Sequence, residues 1–429
     1  MRRKQYFLGF VFCLLMGSSV CPAWGSEMIS GCVRDATTGA PIAGALVTSG
    51  TLVIPTRADG RFDIPAGTAP IKVRAPGYGR TDFAPKQNAS VALTRFVPKG
   101  LYLSFYGIGD RHLRSQALSL LGDSDLNSLV IDVKGDRGLV PFHCALPALK
   151  QSGAQRIITW HHPREMLEKL HRQDVYTIAR IVVFKDDVLA AAHPALALRD
   201  ADGKVWQDGE GLRWVDPFSH QVWNYDISIA EAAARLGFDE IQFDYVRFPD
   251  KSGLRFSRPN TRANRTEAIT GFLAAARKRL IRYNVFLSAD IFGYVCWNQN
   301  DTHIGQELAP LAAQLDYISP MLYPSGFTYG LGQLKNPLSN PFEIVFSSLN
   351  RARERTGLPA VRFRPWLQAF PDYAFDGRKF GSSEIAAQIR AAEQFGAGWM
   401  LWNPRNIYSM DGLGQMEARA KLPDQTLVR

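Results

Sequence analysis

The chain has 429 residues, too many for one small domain, and its 46% hydrophobic and 21% charged residues exclude wholesale disorder. Its 36 glycines and 25 prolines follow no collagen-like period, and its formal charge is +10, three units of which lie in the first 25 residues. That mild basic bias suits an acidic polymer or a membrane surface. No Lys/Arg run with interleaved aromatics marks a nucleic-acid groove.

Residues 1–25 carry the three parts of a secretory signal. Arg2, Arg3 and Lys4 form a basic start, Phe7 to Met16 an apolar core, and Ala23-Trp24-Gly25 places small residues at −3 and −1. The apolar stretch is short for a membrane span, and no later segment is apolar for 18 residues, so the mature chain is expected to be exported, to a periplasm, cell envelope or outer surface, with no integral membrane segment. Cleavage leaves Cys32, Cys144 and Cys296, which allow one disulfide at most.

Residues 26–97 read as short strands and turns. Ile29 to Asp35 alternates, Thr38-Gly39-Ala40-Pro41 turns, Gly44 to Val47 resumes a strand, and Asp59-Gly60 is a hairpin signal before Arg61 to Ile64. Ile71 to Ala75 and Val91 to Leu93 complete a small all-β sandwich. The stretches GCVRDATTGAPIAGALV, ADGRFDI and IKVRAPGY resemble the carboxypeptidase regulatory-like domain. The resemblance implies a structural or adhesive module, and no cluster of acids, His or Cys assigns it chemistry.

From residue 98 to the end, strands alternate with helical stretches such as 221–236 and 261–283. Eight strands are expected, at 101–105, 128–133, 175–184, 240–244, 285–290, 317–322, 361–368 and 398–402. That count defines a (β/α)8 TIM barrel. An open doubly wound sheet is disfavoured because no glycine-rich phosphate loop follows the first strand.

In a barrel the chemistry sits at the carboxyl ends of the strands. Alternation sends Ile241 and Phe243 toward the helices and Glu240, Gln242 and Asp244 inward, with Asp244 at the mouth. The same parity turns Ser288 and Asp290 inward on the fifth strand, and Asp132 and Lys134 inward on the second. Asp244 and Asp290 on neighbouring strands form the pair that glycosidic cleavage needs, one carboxyl to protonate the leaving oxygen and one carboxylate to attack or activate water. Adjacent strands lie about 4.8 Å apart, which allows a retaining pair, and stagger would open it to an inverting one. Trp206, Trp214, Tyr323, Trp366 and Trp402 lie at strand ends or in the loop after the third strand, where flat rings stack on sugars. His161-His162 lacks the i, i+4 spacing of helix-borne ligands, so no metal site or cofactor is expected, and no G-x-S-x-G elbow supports serine chemistry. Lys134 to Gly138 forms a loop at the mouth, equally suited to binding or to simple turn-making.

The stretch FDEIQFDYVRFP at 238–249 resembles a bacterial barrel family classed with the glycoside hydrolases. VIDVKGDRG, ARIVVFKD, WVDP, SADIFGY, DYISPMLYPS, RPWLQAF and GWMLWNPRN extend the match over about 100–411. The resemblance implies a catalytic Asp at the end of the fourth strand, here Asp244, and makes Lys134, Arg180, Arg247, Tyr323 and Gln368 substrate-binding candidates. Position adds Asp132, Trp214, Trp366 and Trp402 to that set, while Asp290 comes from its neighbouring strand alone. The expected activity is hydrolysis of a cell-envelope or extracellular polysaccharide, with an inactive glycan-binding barrel and a polysaccharide deacylase as the rivals. Asp244→Asn binding glycan less well with no loss of turnover would favour the first, and acetate release the second. The signal predicts an exported protein beginning at Ser26, and N-terminal sequencing that finds Met1 would overturn the export reading.

Overall fold

The computed structural model describes residues 28–413, apart from 66, 68 and 411. The signal segment at 1–25 lies outside the described residues. The first domain contains β1 (Met28–Asp35), β2 (Leu46–Ser49), β3 (Leu52–Pro55), β4 (Arg61–Pro65), β5 (Ile71–Arg74), β6 (Thr81–Phe83) and β7 (Ala89–Leu93). They form two sheets, ordered β4-β1-β7 and β3-β2-β5-β6. Alternating residues such as Ile29, Val33, Val47, Phe62, Val73 and Val91 point between the sheets and make one buried core. Gly31 has no side chain for a physical reason, since a Cβ there would lie 2.4 Å from the Phe62 ring.

The second domain is a closed eight-stranded parallel barrel. Its strands are β8 (Lys99–Leu103), β9 (Ser128–Lys134), β10 (Tyr176–Val182), β11 (Glu240–Asp244), β12 (Phe286–Phe292), β13 (Tyr317–Met321), β14 (Trp366–Gln368) and β15 (Trp399–Trp402). β15 pairs with β8 to close the ring. The seventh strand is shorter than the expected 361–368, because Ala360–Arg362 is a 3-10 turn and Pro365 has no N–H for a ladder. Outward residues such as Ile131, Ile181, Phe243 and Leu287 pack beneath the helices, while Tyr102, Tyr176, Phe286, Tyr317, Trp366 and Met400 fill the lumen. Low in the barrel, Glu240 accepts hydrogen bonds from Tyr176 (2.8 Å) and Arg364 (2.7 Å).

The β domain docks on the amino-terminal face of the barrel, opposite the mouth. Buried Arg74 donates to the Ile281 carbonyl (3.3 Å) and Asn284 Oδ1 (3.2 Å). Arg80 pairs with Asp239 at 2.6 Å, and the Gly77 N–H donates to the Tyr317 hydroxyl at 3.0 Å. These bonds make the domain a fixed cap. Cys32, Cys144 and Cys296 are free thiols. No helix among the described residues is long and apolar enough to cross a membrane. Because truncating Arg74 orphans buried acceptors, Arg74→Ala should cost about 2–3 kcal/mol in urea unfolding, and an unchanged midpoint would contradict the docking.

Candidate active site

The site is organised by Arg180, an inward residue of β10 that is 1% exposed. Its Nη1 donates to Asp132 Oδ1 at 2.7 Å, and its Nε and Nη2 donate to Asp244 Oδ2 at 3.0 and 2.5 Å. Nη2 also reaches Asp136 Oδ1 at 3.1 Å, and Asp290 Oδ2 lies 4.0 Å from Nε. The guanidinium is stacked 4.8 Å from the Trp402 ring centroid and 5.4 Å from that of Tyr102.

Strand register explains the meeting of Asp244 and Asp290. Phe243 pairs with Ala289 in the parallel ladder, so the next residues, Asp244 and Asp290, stand level on adjacent strands. Tyr245 then takes a left-handed conformation at φ 49°, which turns its own N–H onto Asp244 Oδ1 at 2.6 Å. Such a backbone costs roughly 1 kcal/mol or more in a non-glycine residue.

The two carboxyls differ in environment. Asp244 reaches the cavity and holds the guanidinium. Asp290 is 1% exposed, and Trp366 Nε1 donates to its Oδ1 at 2.7 Å while Oδ2 has no hydrogen-bond partner. Burial, then the charge of Asp244, pushes the Asp290 carboxyl well above the usual range, which favours its protonated form. Asp132 is raised to about 6 by burial, against the pull of Arg180. It remains ionised at pH 7, consistent with the bonds it accepts from Arg180, Tyr102 and the Phe105 N–H.

Asp244, Arg180, Arg247, Tyr323, Trp366 and Trp402 line one cavity of about 220 Å³ at the strand ends. Asp132 faces an adjoining hollow of about 240 Å³, which shares Asp136 and Trp402 with the first. Trp214 and Trp206 line a third hollow of about 380 Å³, joined to the first through Tyr245 and Arg247. A larger hollow of about 640 Å³ beside 143–156 contains no carboxylate.

Three expected residues line none of these hollows: Asp290, buried against Trp366, together with Lys134 and Gln368. Lys134 does not point into the barrel. The β9–β10 register slips by one residue, with Arg180 opposite Asp132 and Ile181 opposite Lys134. This bulge reverses the parity and sends Lys134 outward to Asp186 and Asp226, both at 2.6 Å. Gln368 is inward but wholly buried, donating to Ser325 Oγ (2.7 Å) and accepting from the Ser325 N–H (3.1 Å). It holds the loop that follows Tyr323. The loop reading left Asp136 undecided, although it stands inside the VIDVKGDRG stretch. Phe292 and the exposed Tyr373, also in the cavity wall, had no signal beyond their aromatic character. No group of three or more His, Cys, Asp or Glu suited to a metal ion occurs among the described residues.

A parallel barrel with acids gathered around one arginine at its mouth has the general architecture of a carbohydrate-active hydrolase. The chain belongs to the family described as "Putative glycosyl hydrolase domain", whose model matches residues 100–408. No curated protein matches the sequence. Among solved structures, a hypothetical protein from Ruminiclostridium thermocellum is 36% identical over 44% of this chain and 96% of its own, with a TM-score of 0.40. The glycoside hydrolase domain of PgaB (BpsB) from Bordetella bronchiseptica is 14% identical over 72% of this chain and 95% of its own, with a TM-score of 0.53. That likeness concerns the fold. The glycoside hydrolase domain of PelA from Pseudomonas aeruginosa is 11% identical over 73% of this chain and 97% of its own, at a TM-score of 0.42.

Arg180→Ala should destabilise the protein by about 3–5 kcal/mol, since it strands buried carboxylates. Asp290→Asn keeps an acceptor for Trp366 and removes the charge that burial disfavours, so it should stay within about 1 kcal/mol of wild type at pH 7 in denaturant unfolding. A large loss in that variant would mean that Asp290 is ionised.

Proposed function

We propose that this protein is an exported glycoside hydrolase that cleaves a cell-envelope or extracellular polysaccharide. The observation that carries the reading is the pairing of a guanidinium-held Asp244 with the buried Asp290, whose carboxyl is pushed above the usual range, on adjacent strand ends beneath a ring-lined cavity. Family membership supports it, and the basic, apolar, small-residue start supports export. In this reading residues 26–97 and 98–429 are the two mature domains, the first a regulatory-like β module.

Asp244 attacks the anomeric carbon or takes a proton from water, its lone pair fixed by Arg180 and the Tyr245 N–H. Asp290 supplies the proton to the departing oxygen. Trp366 occupies Oδ1, which leaves the unbonded Oδ2 as the atom to carry that proton. Trp402 and Tyr323 form the sugar platform, with the expected binding residue Trp366 buried beneath as the donor to Asp290, and positive charge that builds on the ring is met by the carboxylates around Arg180. Asp132 acts through Arg180, and Gln368 through the 324–326 loop. No cofactor is called on.

The test is reducing-end release from a polysaccharide panel. Asp244→Ala should cost about 3 kcal/mol or more of transition-state stabilisation, over a hundredfold in rate. Asp290 works in its protonated form, so the rate should fall as pH rises through its elevated pKa. Asp290→Asn should lose turnover while remaining folded, and lose least on substrates with good leaving groups. Folded Asp244→Ala protein with kcat near wild type would sink the mechanism.

A further inference from the structure

Arg247 stands where the reaction cavity and the hollow beside it join. Its guanidinium lies 5.1 Å from the ring centroids of both Trp214 and Tyr245. Trp214 is fixed by its Nε1 bond to Asp208 at 2.9 Å, and Tyr245 by its left-handed backbone. One Arg247 nitrogen donates to the Phe248 carbonyl at 3.1 Å, and no carboxylate lies within ion-pair distance among the described residues. The nearby acids are otherwise engaged, with Lys185 holding Asp208 at 3.3 Å and Glu210 at 3.0 Å. Asp250 and Lys251 also line this hollow, and Asp250 lies beyond ion-pair distance of Arg247. Arg247 is therefore a half-buried planar cation, stacked and oriented, with no protein anion to complete it.

From this geometry we infer that Arg247 binds a carboxylate borne by the sugar next to the reacting one, so that the substrate is an acidic polysaccharide. The inference rests on the hydrolase reading and adds to it the chemical class of the substrate. A stacked guanidinium presents paired N–H donors in a plane, the arrangement that matches a carboxylate. The reacting sugar itself is not the acidic one. Around Arg180, on the far side of that cavity from the Trp214 hollow, Asp132, Asp136 and Asp244 share one guanidinium, and a further anion beside them would be repelled. The carboxylate belongs on the Arg247 side, with Trp206 in the same hollow as a stacking surface. Its source is a uronic acid or an acid substituent such as a pyruvate ketal. The full chain's net positive charge agrees with an acidic polymer.

The experiment is a binding titration of full-length protein with oligoglucuronates, oligogalacturonates, pyruvate-ketal-bearing oligosaccharides and the carboxyl-reduced form of each. A native acidic oligosaccharide should bind about tenfold or more tightly than its reduced counterpart. Arg247→Gln should erase that difference, and Arg247→Lys, which keeps the charge without the planar fork, should restore part of it. Preference for the uronates, or for the ketals, names the source. Equal binding of native and reduced forms, no binding of any acidic oligosaccharide, or an undiminished preference in folded Arg247→Gln protein would each overturn the inference. Release of reducing ends from neutral polymers alone would leave the hydrolase reading standing and remove this one. An acid preference that depends on Arg247, without release from any polymer, would do the reverse.

Discussion

The mouth of the barrel depends on one guanidinium that serves more carboxylates than it can neutralise. Arg180 is bonded to Asp132, Asp136 and Asp244 and stands 4.0 Å from Asp290. A buried cation is tolerable only when its donors are used, and here they are used by carboxylates on two different strands and on the loop after β9. The stacked rings of Tyr102 and Trp402 fix the plane of the fork, so the positions of the acids follow from the position of Arg180. The excess negative charge is relieved where burial is deepest and arginine contact weakest, at Asp290. The proposed acid–base asymmetry thus rests on charge counting within a closed, low-dielectric space.

The opposite end of the barrel is arranged differently. There Glu240 meets Arg364 one to one, with Tyr176 and Ser288 completing the carboxylate's bonds, and the guanidinium lies 4.0 Å from the Tyr317 ring centroid. The β domain covers this face through Arg74, Gly77 and Arg80. At the capped end Glu240 and Arg364 form a one-to-one pair, whereas at the mouth one guanidinium is shared by several acids, which separates the end that holds the fold from the end available for chemistry.

Much of this was legible in the sequence because strand parity is a strong rule. Alternation alone turned Glu240, Gln242 and Asp244 inward, and Asp290 with them. The rule failed at Lys134 because a bulge leaves no mark in an apolar–polar pattern, so a residue expected in the lumen packs among helices. Arg180 could be picked out by resemblance, but not its role as a hub, since that depends on four acids remote in sequence. The docking of the β domain was equally hidden. Arg74 and Arg80 read as ordinary polar residues near a strand end, and only the packed pair of domains shows Arg74 buried against 281–284. The domain, expected from its sequence to be a structural or adhesive module, caps the barrel.

Parallel register carries the remaining step. With Phe243 opposite Ala289, Asp244 and Asp290 are forced to one level, at the short spacing between neighbouring strands. Two carboxylates so placed cannot both ionise cheaply, and which one stays neutral is decided by the donors each receives. Asp244 receives charged N–H groups from Arg180 and a backbone N–H from Tyr245. Asp290 receives only the uncharged indole N–H of Trp366. The proposed assignment of base and acid consequently rests on donor charge, and it would invert only if Arg180 moved from one aspartate to the other. The stacking of Arg180 on Trp402 and its bond to Asp132 oppose that movement. The residues that keep the guanidinium still are therefore the ones that keep the two acids distinct.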